Sequence, residues 1–547
     1  MEIQRLILFL IFSMSLLFLW QAWQEHQRRP TAPPQAAPAA ENPAPPVGRE
    51  LLEKQAELHK AGESAPMNPG STLTVTTDVL RADIQTLGGD VVRLELLKHV
   101  GAVDKKKPFV LFQRQGERVY VAQSGLIGDD LPSHKTLFTA APGPYQLKPG
   151  EETLQVRLSA PAANGVVVEK IYTFRRGSYV VDVAFSIKND GPAPIAPFAY
   201  YQFQRDGKPP EGDPKLLHTY TGPAVYTEET KFQKIAFSDI EKGKASLPKT
   251  ATDGWIAMVQ HYFLAAWLPV GNVSREFFAR ALGPDLYAAG VIVPLGAIEP
   301  GASRTATMRL YAGPQEQRAL AKLAPGLDLV VDYGWLTVIA VPLFWVLDLF
   351  HRWVQNWGVA IILLTVLVKA VFYPLSAASY RSMARMKAIT PRLQRIKELY
   401  GHDRQKLHQA MMDLYKEEKI NPLGGCLPIL IQIPVFIALY WVLVAAVELR
   451  NAPFIGWIQD LSAPDPYFVL PVVMGVTMWI QTKLNPTPPD PIQARVMQIM
   501  PVAFSVFFFF FPAGLVLYWL VNNILSIAQQ WYITRRMERA AAAHAKR

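Results

Sequence analysis

Five apolar runs, each close to the length that crosses a bilayer as a helix, crowd the last third of the chain at 357–375, 427–447, 467–484, 492–511 and 513–533. Such a chain cannot close around one soluble core, because in hydrocarbon each spanning segment must satisfy its own backbone polar groups. A sixth run, 6–23, ends in Trp20, Gln21, Ala22 and Trp23. That end reads as an interfacial aromatic belt and not as the small-x-small site of a cleaved signal, so residues 1–29 are expected to form an uncleaved anchor.

Composition supports a membrane protein that also carries a soluble domain: the 547 residues are 50% hydrophobic and too many for one ordinary domain. The net charge of +10 comes from Lys and Arg gathered beside the apolar runs, which favours a membrane surface over nucleic acid. The single cysteine, Cys426, has no partner within the chain. It reads as a packing residue, and any domain outside the cytoplasm must fold without an internal disulfide.

Residues 30–69 are rich in Pro, Ala and Glu with no apolar period, the composition of a tether. From 70 to 325, short alternating segments such as 72–79, 166–174, 179–187 and 305–311 are separated by Gly, Pro and Asn-Asp turns, which predicts an all-β sandwich. A helical core is expected from 326 to 547. Its first segment, 327–349, is interrupted by Asp328, Asp332, Pro342 and Asp348, which suits a helix lying on the membrane. With the anchor, six transmembrane helices are predicted.

Short loops rich in Lys and Arg mark the cytoplasmic side. The 376–420 segment and the 534–547 tail carry them, including Arg381, Arg385, Arg392, Arg535 and Arg536. The 447–466 loop has only Arg450 against Glu448, Asp460 and Asp465, so it belongs outside. Both termini are then cytoplasmic and the β domain is periplasmic.

Within 376–420, Met383, Met386, Leu393, Ile396 and Leu399 recur at helical spacing, Gly401 and His402 interrupt, and Leu407, Met411 and Leu414 resume. A helical hairpin is expected, with Pro391 kinking or restarting its first helix and Thr390 as cap. Its charge suits anionic lipid, ribosomal RNA or a targeting factor alike.

No nucleophile elbow, phosphate loop, HExxH, metal-spaced Cys/His cluster or dinucleotide fingerprint is present. No cofactor, metal or small-molecule substrate is expected, and lone polar residues of the β domain such as His261 receive no role. The informative residue is Lys369, in the otherwise apolar stretch 361–374. An ammonium there costs at least ~2.5 kcal/mol near the bilayer centre unless it meets water or a partner, which marks a functional candidate. Snorkelling to the headgroups is the equal alternative for this residue taken alone.

Other runs are polar too, at Thr365 one turn before Lys369, Gln432, Thr477, Gln481, Gln498, Ser505, Asn522, Asn523, Ser526, Gln529 and Gln530. On the predicted topology nearly all fall in the cytoplasmic half or near the midplane, while the outer half holds runs such as 507–511 and 515–517. A carrier needs a polar path on both sides. A hydrated groove open only to the cytoplasm instead suits an insertase, whose cation attracts acidic passenger residues. Plain helix-to-helix hydrogen bonding is the competing account of these polar groups. A small-anion or ion transporter and a structural envelope protein are the alternatives from other classes.

The stretch 421–434 (NPLGGCLPILIQIP), the 511–519 turn (FPAGLVLYW) followed by Asn522-Asn523, and the 369–374 segment closely resemble the YidC/Oxa/Alb family of membrane protein insertases. The anchor, tether and large β domain resemble its Gram-negative form. The resemblance implies a β-supersandwich without enzymatic activity and a groove in which Lys369 helps receive the passenger, with Thr365, Tyr518 and Trp519 near the slide along which it leaves. It also implies nascent membrane proteins, the Sec translocon, the ribosome with its targeting machinery, and membrane lipid as partners, at the bacterial inner membrane. The best-known relatives carry Arg at the Lys369 position and Tyr at the Trp519 position; Lys keeps the charge without the planar guanidinium fork.

Overall fold

The computed structural model describes residues 70–213, 219–248, 250–418, 427–485 and 491–545. The predicted anchor, the tether, Cys426 and the 421–425 part of the Asn-Pro-Leu-Gly-Gly motif lie outside these residues. The described chain divides into a β unit and a helical unit.

The β unit begins with β1 (Thr72–Thr76), β2 (Leu80–Gln85), β3 (Asp90–Val100), β4 (Pro108–Gln115), β5 (Arg118–Ile127), β6 (Thr139–Ala140) and β7 (Tyr145–Gln146). It continues through β8 (Thr153–Ser159), β9 (Val166–Arg175), β10 (Val180–Asn189), β11 (Phe198–Asp206), β12 (Gly222–Tyr226) and β13 (Gln233–Lys234). β14 (Trp255–Gln260), β15 (Phe263–Pro269), β16 (Glu276–Gly283), β17 (Leu286–Pro294) and β18 (Ser303–Pro314) complete it. They form two nine-stranded sheets, in the orders β16-β17-β11-β5-β4-β3-β2-β1-β7 and β13-β12-β14-β15-β18-β10-β9-β8-β6.

The predicted sandwich is present because the alternating segments bury every second side chain, as in β9, where Val166, Val168, Lys170, Tyr172 and Phe174 face inward. Between the sheets Phe203 and Tyr201 of β11 meet Trp267 of β15 at ring distances of 5.5 and 5.2 Å. β14 and β15 are buried along nearly their whole length, which is why they read as continuous apolar runs and not as alternation.

One inward position of β9 is charged. Lys170 is completely buried, and its ammonium donates to the carbonyls of Gly88 and Ser124, 3.0 Å each, across the sandwich. The rings of Phe138, Tyr172 and Phe185 surround it at 5.6–6.0 Å. Asp90 lies 3.9 Å away and accepts from Gln123 Nε2 at 2.8 Å. Gly89, at φ 59°, has its backbone against the Lys170 stem, where an added Cβ would stand 3.1 Å from Cδ. Burial pushes the Asp90 carboxyl up to about 6, against the opposing pull of Lys170, and pushes the Lys170 ammonium down to about 8.

The β unit closes with a short 3-10 turn, Leu327–Val330, and the helical unit opens with another, Gly334–Leu336, before α1 (Thr337–Val354). Then come α2 (Trp357–Val371), α3 (Tyr373–Tyr400), α4 (Arg404–Glu417), α5 (Leu427–Ala445), α6 (Val469–Leu484), α7 (Pro491–Phe507) and α8 (Ala513–Ala545). Three expectations need correction. The surface helix expected at 327–349 starts ten residues later and runs to Val354; by length and composition 334–354 is able to cross a membrane. Pro342 lies within its first two turns, where few backbone bonds are lost, so it does not break the helix. The run expected as a span at 357–375 ends at Val371, with a 67° bend into α3. Pro374 causes the break by withholding the N–H that would bond the Ala370 carbonyl.

The third correction concerns Thr390 and Pro391. α3 passes through Pro391 unbroken, and the Thr390 hydroxyl bonds back to the Met386 carbonyl at 3.2 Å and caps nothing. α3 and α4 turn at 401–403, where the Asp403 carboxylate caps α4 by accepting from the Gln405 and Lys406 amides at 3.0 and 3.1 Å. Ile389, Leu393 and Leu414 form the small core between them.

The Asp90 carboxyl titrates higher in the folded chain than its ordinary 3.8, so its contribution to stability is fully present below that value and is lost as pH rises through about 6. Asp90→Asn removes this dependence. Amide-exchange protection of β5 and β9 in the wild-type chain, relative to Asp90→Asn, is expected to rise on acidification from pH 6.5 to 4.5, by on the order of 2 kcal/mol. A flat difference over that interval would contradict a buried, high-titrating Asp90.

Candidate functional site

α8 is the spine of the site. Tyr518, Asn522, Ser526 and Gln530 follow one another at i, i+4 on one face, with Trp519 and Asn523 beside them. Lys369 of α2 reaches this stripe: it is buried, 6% exposed, and its ammonium donates to Ser526 Oγ at 2.7 Å. The Ser526 hydroxyl in turn donates to the Asn522 carbonyl at 2.7 Å, and the Tyr380 hydroxyl of α3 bonds to Ser526 as well. A snorkelled ammonium would be exposed to solvent; this one is buried.

No carboxylate among the described residues pairs with Lys369. The charge is supported instead by its place in the last turn of α2, where the helix dipole favours a cation. Thr365, one turn earlier and 1% exposed, turns its hydroxyl to the Ile361 carbonyl at 2.7 Å, which satisfies it within the helix.

One turn along α8, Gln432 of α5 donates to Asn522 Oδ1 at 2.6 Å. Phe436, one turn after Gln432, stacks on Tyr518 at 6.1 Å and meets Trp519 edge-on at 4.5 Å. The Trp519 indole N–H is buried without an acceptor among the described residues. The structure therefore brings together Lys369, Gln432, Tyr518, Trp519, Asn522 and Ser526, from α2, α5 and α8.

It does not bring in Gln498 or Ser505. Gln498 is exposed on α7. Ser505 donates to the Pro471 carbonyl at 2.9 Å, and its side chain fills the space where a Cβ on Gly475 would stand, 2.8 Å away. These two were expected in the groove from hydropathy alone, which cannot tell the faces of α7 apart. Asn523 likewise bonds Thr477 at 3.4 Å and Gln530 bonds Asn485 at 3.1 Å, fastening α8 parallel to α6. For these residues the helix-to-helix account holds. Tyr380 is the participant the sequence reading missed; its signal is the small-residue stretch Ser376, Ala377, Ala378, Ser379 before it, which lets α3 approach α8 closely.

The polarity ends abruptly. Before Tyr518, α8 buries Ala513, Leu515, Val516 and Leu517 at 0–4% exposure. Phe507, Phe508 and Phe511 pack there at 4.7–5.9 Å. The loop from 452 to 463 is pinned over this end by Ala513 and Gly514 amides donating to Ala463 and Leu461 carbonyls at 2.8 and 2.9 Å. Asp460 and Asp465 shape the loop, Asp465 accepting from Trp457 Nε1 and the amides of Tyr467 and Leu470 at 2.8–3.0 Å. The site is a short polar cluster about 12 Å long at 1.5 Å per residue from Tyr518 to Ser526, sealed at one end by aromatic packing.

Gln432 and Asn522 join two helices by one hydrogen bond in an apolar bundle, where such pairs contribute up to about 1.7 kcal/mol. A double-mutant cycle with Gln432→Leu and Asn522→Leu, read by denaturation of the detergent-solubilised chain, is expected to show coupling of about 1 kcal/mol. Strict additivity would mean the pair is not formed.

Comparison with known proteins identifies the family. A family described as the YidC periplasmic domain matches residues 72–346, and one described as 60Kd inner membrane protein matches 349–540. The membrane protein insertase YidC of Nitrosospira multiformis is 59% identical over 100% of this chain and 99% of its own length. That of Aromatoleum aromaticum is 58% identical over 98% of each. Among solved structures, an active YidC insertase crystal structure with the first transmembrane domain resolved aligns with 89% of this chain and 98% of its own, at 20% identity and a TM-score of 0.41. The chain belongs to the YidC family of inner-membrane protein insertases, which carry a periplasmic domain and are not enzymes.

Proposed function

We propose that this chain receives hydrophobic segments of nascent inner-membrane proteins in a hydrated groove open to the cytoplasm and releases them sideways into the bilayer, alone or beside the Sec translocon. The observation that carries this reading is the one-sided cluster on α8: a buried ammonium held by a single hydroxyl, sealed at the opposite end by Phe507, Phe508 and Phe511. A polar segment entering such a cluster finds exchangeable partners, because Ser526 is the only hydrogen-bond partner of Lys369 among the described residues.

Helix lengths support lateral release. α2 and α6 have 15 and 16 residues, about 22–24 Å at 1.5 Å per residue, against a hydrocarbon core of about 30 Å. Short walls thin the bilayer beside them and shorten the distance over which a passenger's polar end is desolvated. The exit runs past Tyr518 and Trp519, whose buried indole N–H has no acceptor among the described residues and becomes a donor to a passing carbonyl. The driving energy is burial of the passenger's apolar surface in lipid, roughly 25 cal/mol per Å². In this reading the chain crosses the membrane six times, with both termini and the α3–α4 hairpin cytoplasmic. The hairpin and the basic tail meet the ribosome and its targeting machinery, and the β unit lies in the periplasm.

Charge reversal tests the role of Lys369. Lys369→Glu should reduce insertion of passengers with acidic tails about tenfold more than of neutral ones, measured by protease protection in proteoliposomes. Equal loss for both classes, with the fold intact, would remove attraction as the mechanism and leave groove hydration.

A further inference from the structure

One oxygen in the cluster serves two donors. The Ser526 hydroxyl gives its own proton to the Asn522 carbonyl at 2.7 Å, which leaves the lone pairs of Oγ for incoming N–H and O–H groups. The Lys369 ammonium donates to Oγ at 2.7 Å, and the Tyr380 hydroxyl bonds to it from α3. With its proton committed to Asn522, Ser526 can only accept from Tyr380, so the oxygen is saturated. It is also cut off from solvent, Ser526 being 3% and Tyr380 9% exposed.

The two donors are held by different means. The Tyr380 ring packs with Ala377 of its own helix and Ile533 of α8, flanked by Met383 and Met537. None of these contacts involves α2, so they keep the ring in place whether or not Lys369 is on Ser526. Lys369 has Ser526 as its only hydrogen-bond partner among the described residues. Of the two donors, the ammonium is the one able to leave.

What its departure costs depends on what stays behind. An acceptor stripped of its last donor inside an apolar bundle disfavours the step that strips it on the order of five- to a hundredfold. We propose that Tyr380 is a positioning residue for passenger capture: it stays on Ser526 Oγ and keeps that oxygen satisfied while the Lys369 ammonium moves to a passenger carboxylate. The inference rests on the groove reading given above and adds to it the residue that makes the ammonium exchangeable. Tyr380 acts through Ser526. Without the tyrosine hydroxyl, Lys369 becomes the sole donor to Oγ, loses its competitor there, and is retained.

The test uses the full chain in proteoliposomes and a pair of passengers that differ only in an acidic or a neutral tail, with insertion read by protease protection. Tyr380→Phe removes the hydroxyl and keeps the ring, and is expected to lower the acidic-to-neutral insertion ratio about fivefold. Ser526→Ala removes the shared oxygen, so adding Tyr380→Phe to it should leave the ratio where Ser526→Ala alone puts it. A Tyr380→Phe ratio equal to wild type would overturn the proposal and assign Tyr380 to packing alone; this comparison decides by itself if Ser526→Ala does not fold. A fall that persists undiminished in the Ser526→Ala background would overturn it as well. Lys369→Glu in the same assay separates the two readings. A ratio lowered by Lys369→Glu but not by Tyr380→Phe contradicts only the role of Tyr380, whereas a ratio indifferent to Lys369→Glu removes attraction at the groove and this inference with it.

Discussion

A lysine ammonium held inside an apolar bundle by one serine hydroxyl is the constraint around which the helical unit is arranged. Lys369 cannot leave its charge unsupported, and it has no carboxylate among the described residues. Its support comes from three places that the chain must bring together: the end of α2, the hydroxyl of Ser526, and the Tyr380 hydroxyl that shares it. The bend after Val371 turns α3 so that Tyr380 returns to α8. Charge, bend and helix contact are one solution to one desolvation problem.

α8 divides into two regimes. Its first residues pack at close to zero exposure against aromatic rings and a pinned loop, while the next three turns carry hydroxyls and amides that bond neighbouring helices. Only some of those bonds belong to the groove. Asn523–Thr477, Gln530–Asn485 and Ser505–Pro471 fasten α6 to its neighbours, whereas Lys369–Ser526 and Gln432–Asn522 each tie α2 and α5 to the spine by one side-chain hydrogen bond. In the proposed mechanism it is these hydrogen bonds that a passenger exchanges for its own.

How far the sequence could be read followed from the range of the physics involved. Alternation revealed β9 and β10 because one face of each is buried, and the apolar runs revealed the helices because composition alone marks them. Hydropathy could not say which face of α7 is buried, and the structure puts Gln498 on an exposed face and Ser505 against the Pro471 carbonyl. Thr390 looked like a cap, but a threonine hydroxyl can equally bond back four residues, as it does to Met386. Lys170 inside the β sandwich was legible only as an odd charge in an alternating strand; the aromatic cage around it comes from residues up to 32 positions away.

The most direct measurement of the central claim is site-specific photocrosslinking to a stalled nascent membrane protein on ribosomes, from probes placed at Gln432, Trp519 and Gln498 in otherwise intact chains. The groove on α8 requires strong crosslinks from Gln432 and Trp519 as the passenger's apolar segment emerges, and none from Gln498 on the outside of α7. Crosslinks from Gln498 equal to the other two, or none from Gln432 and Trp519 with the ribosome bound, would contradict it.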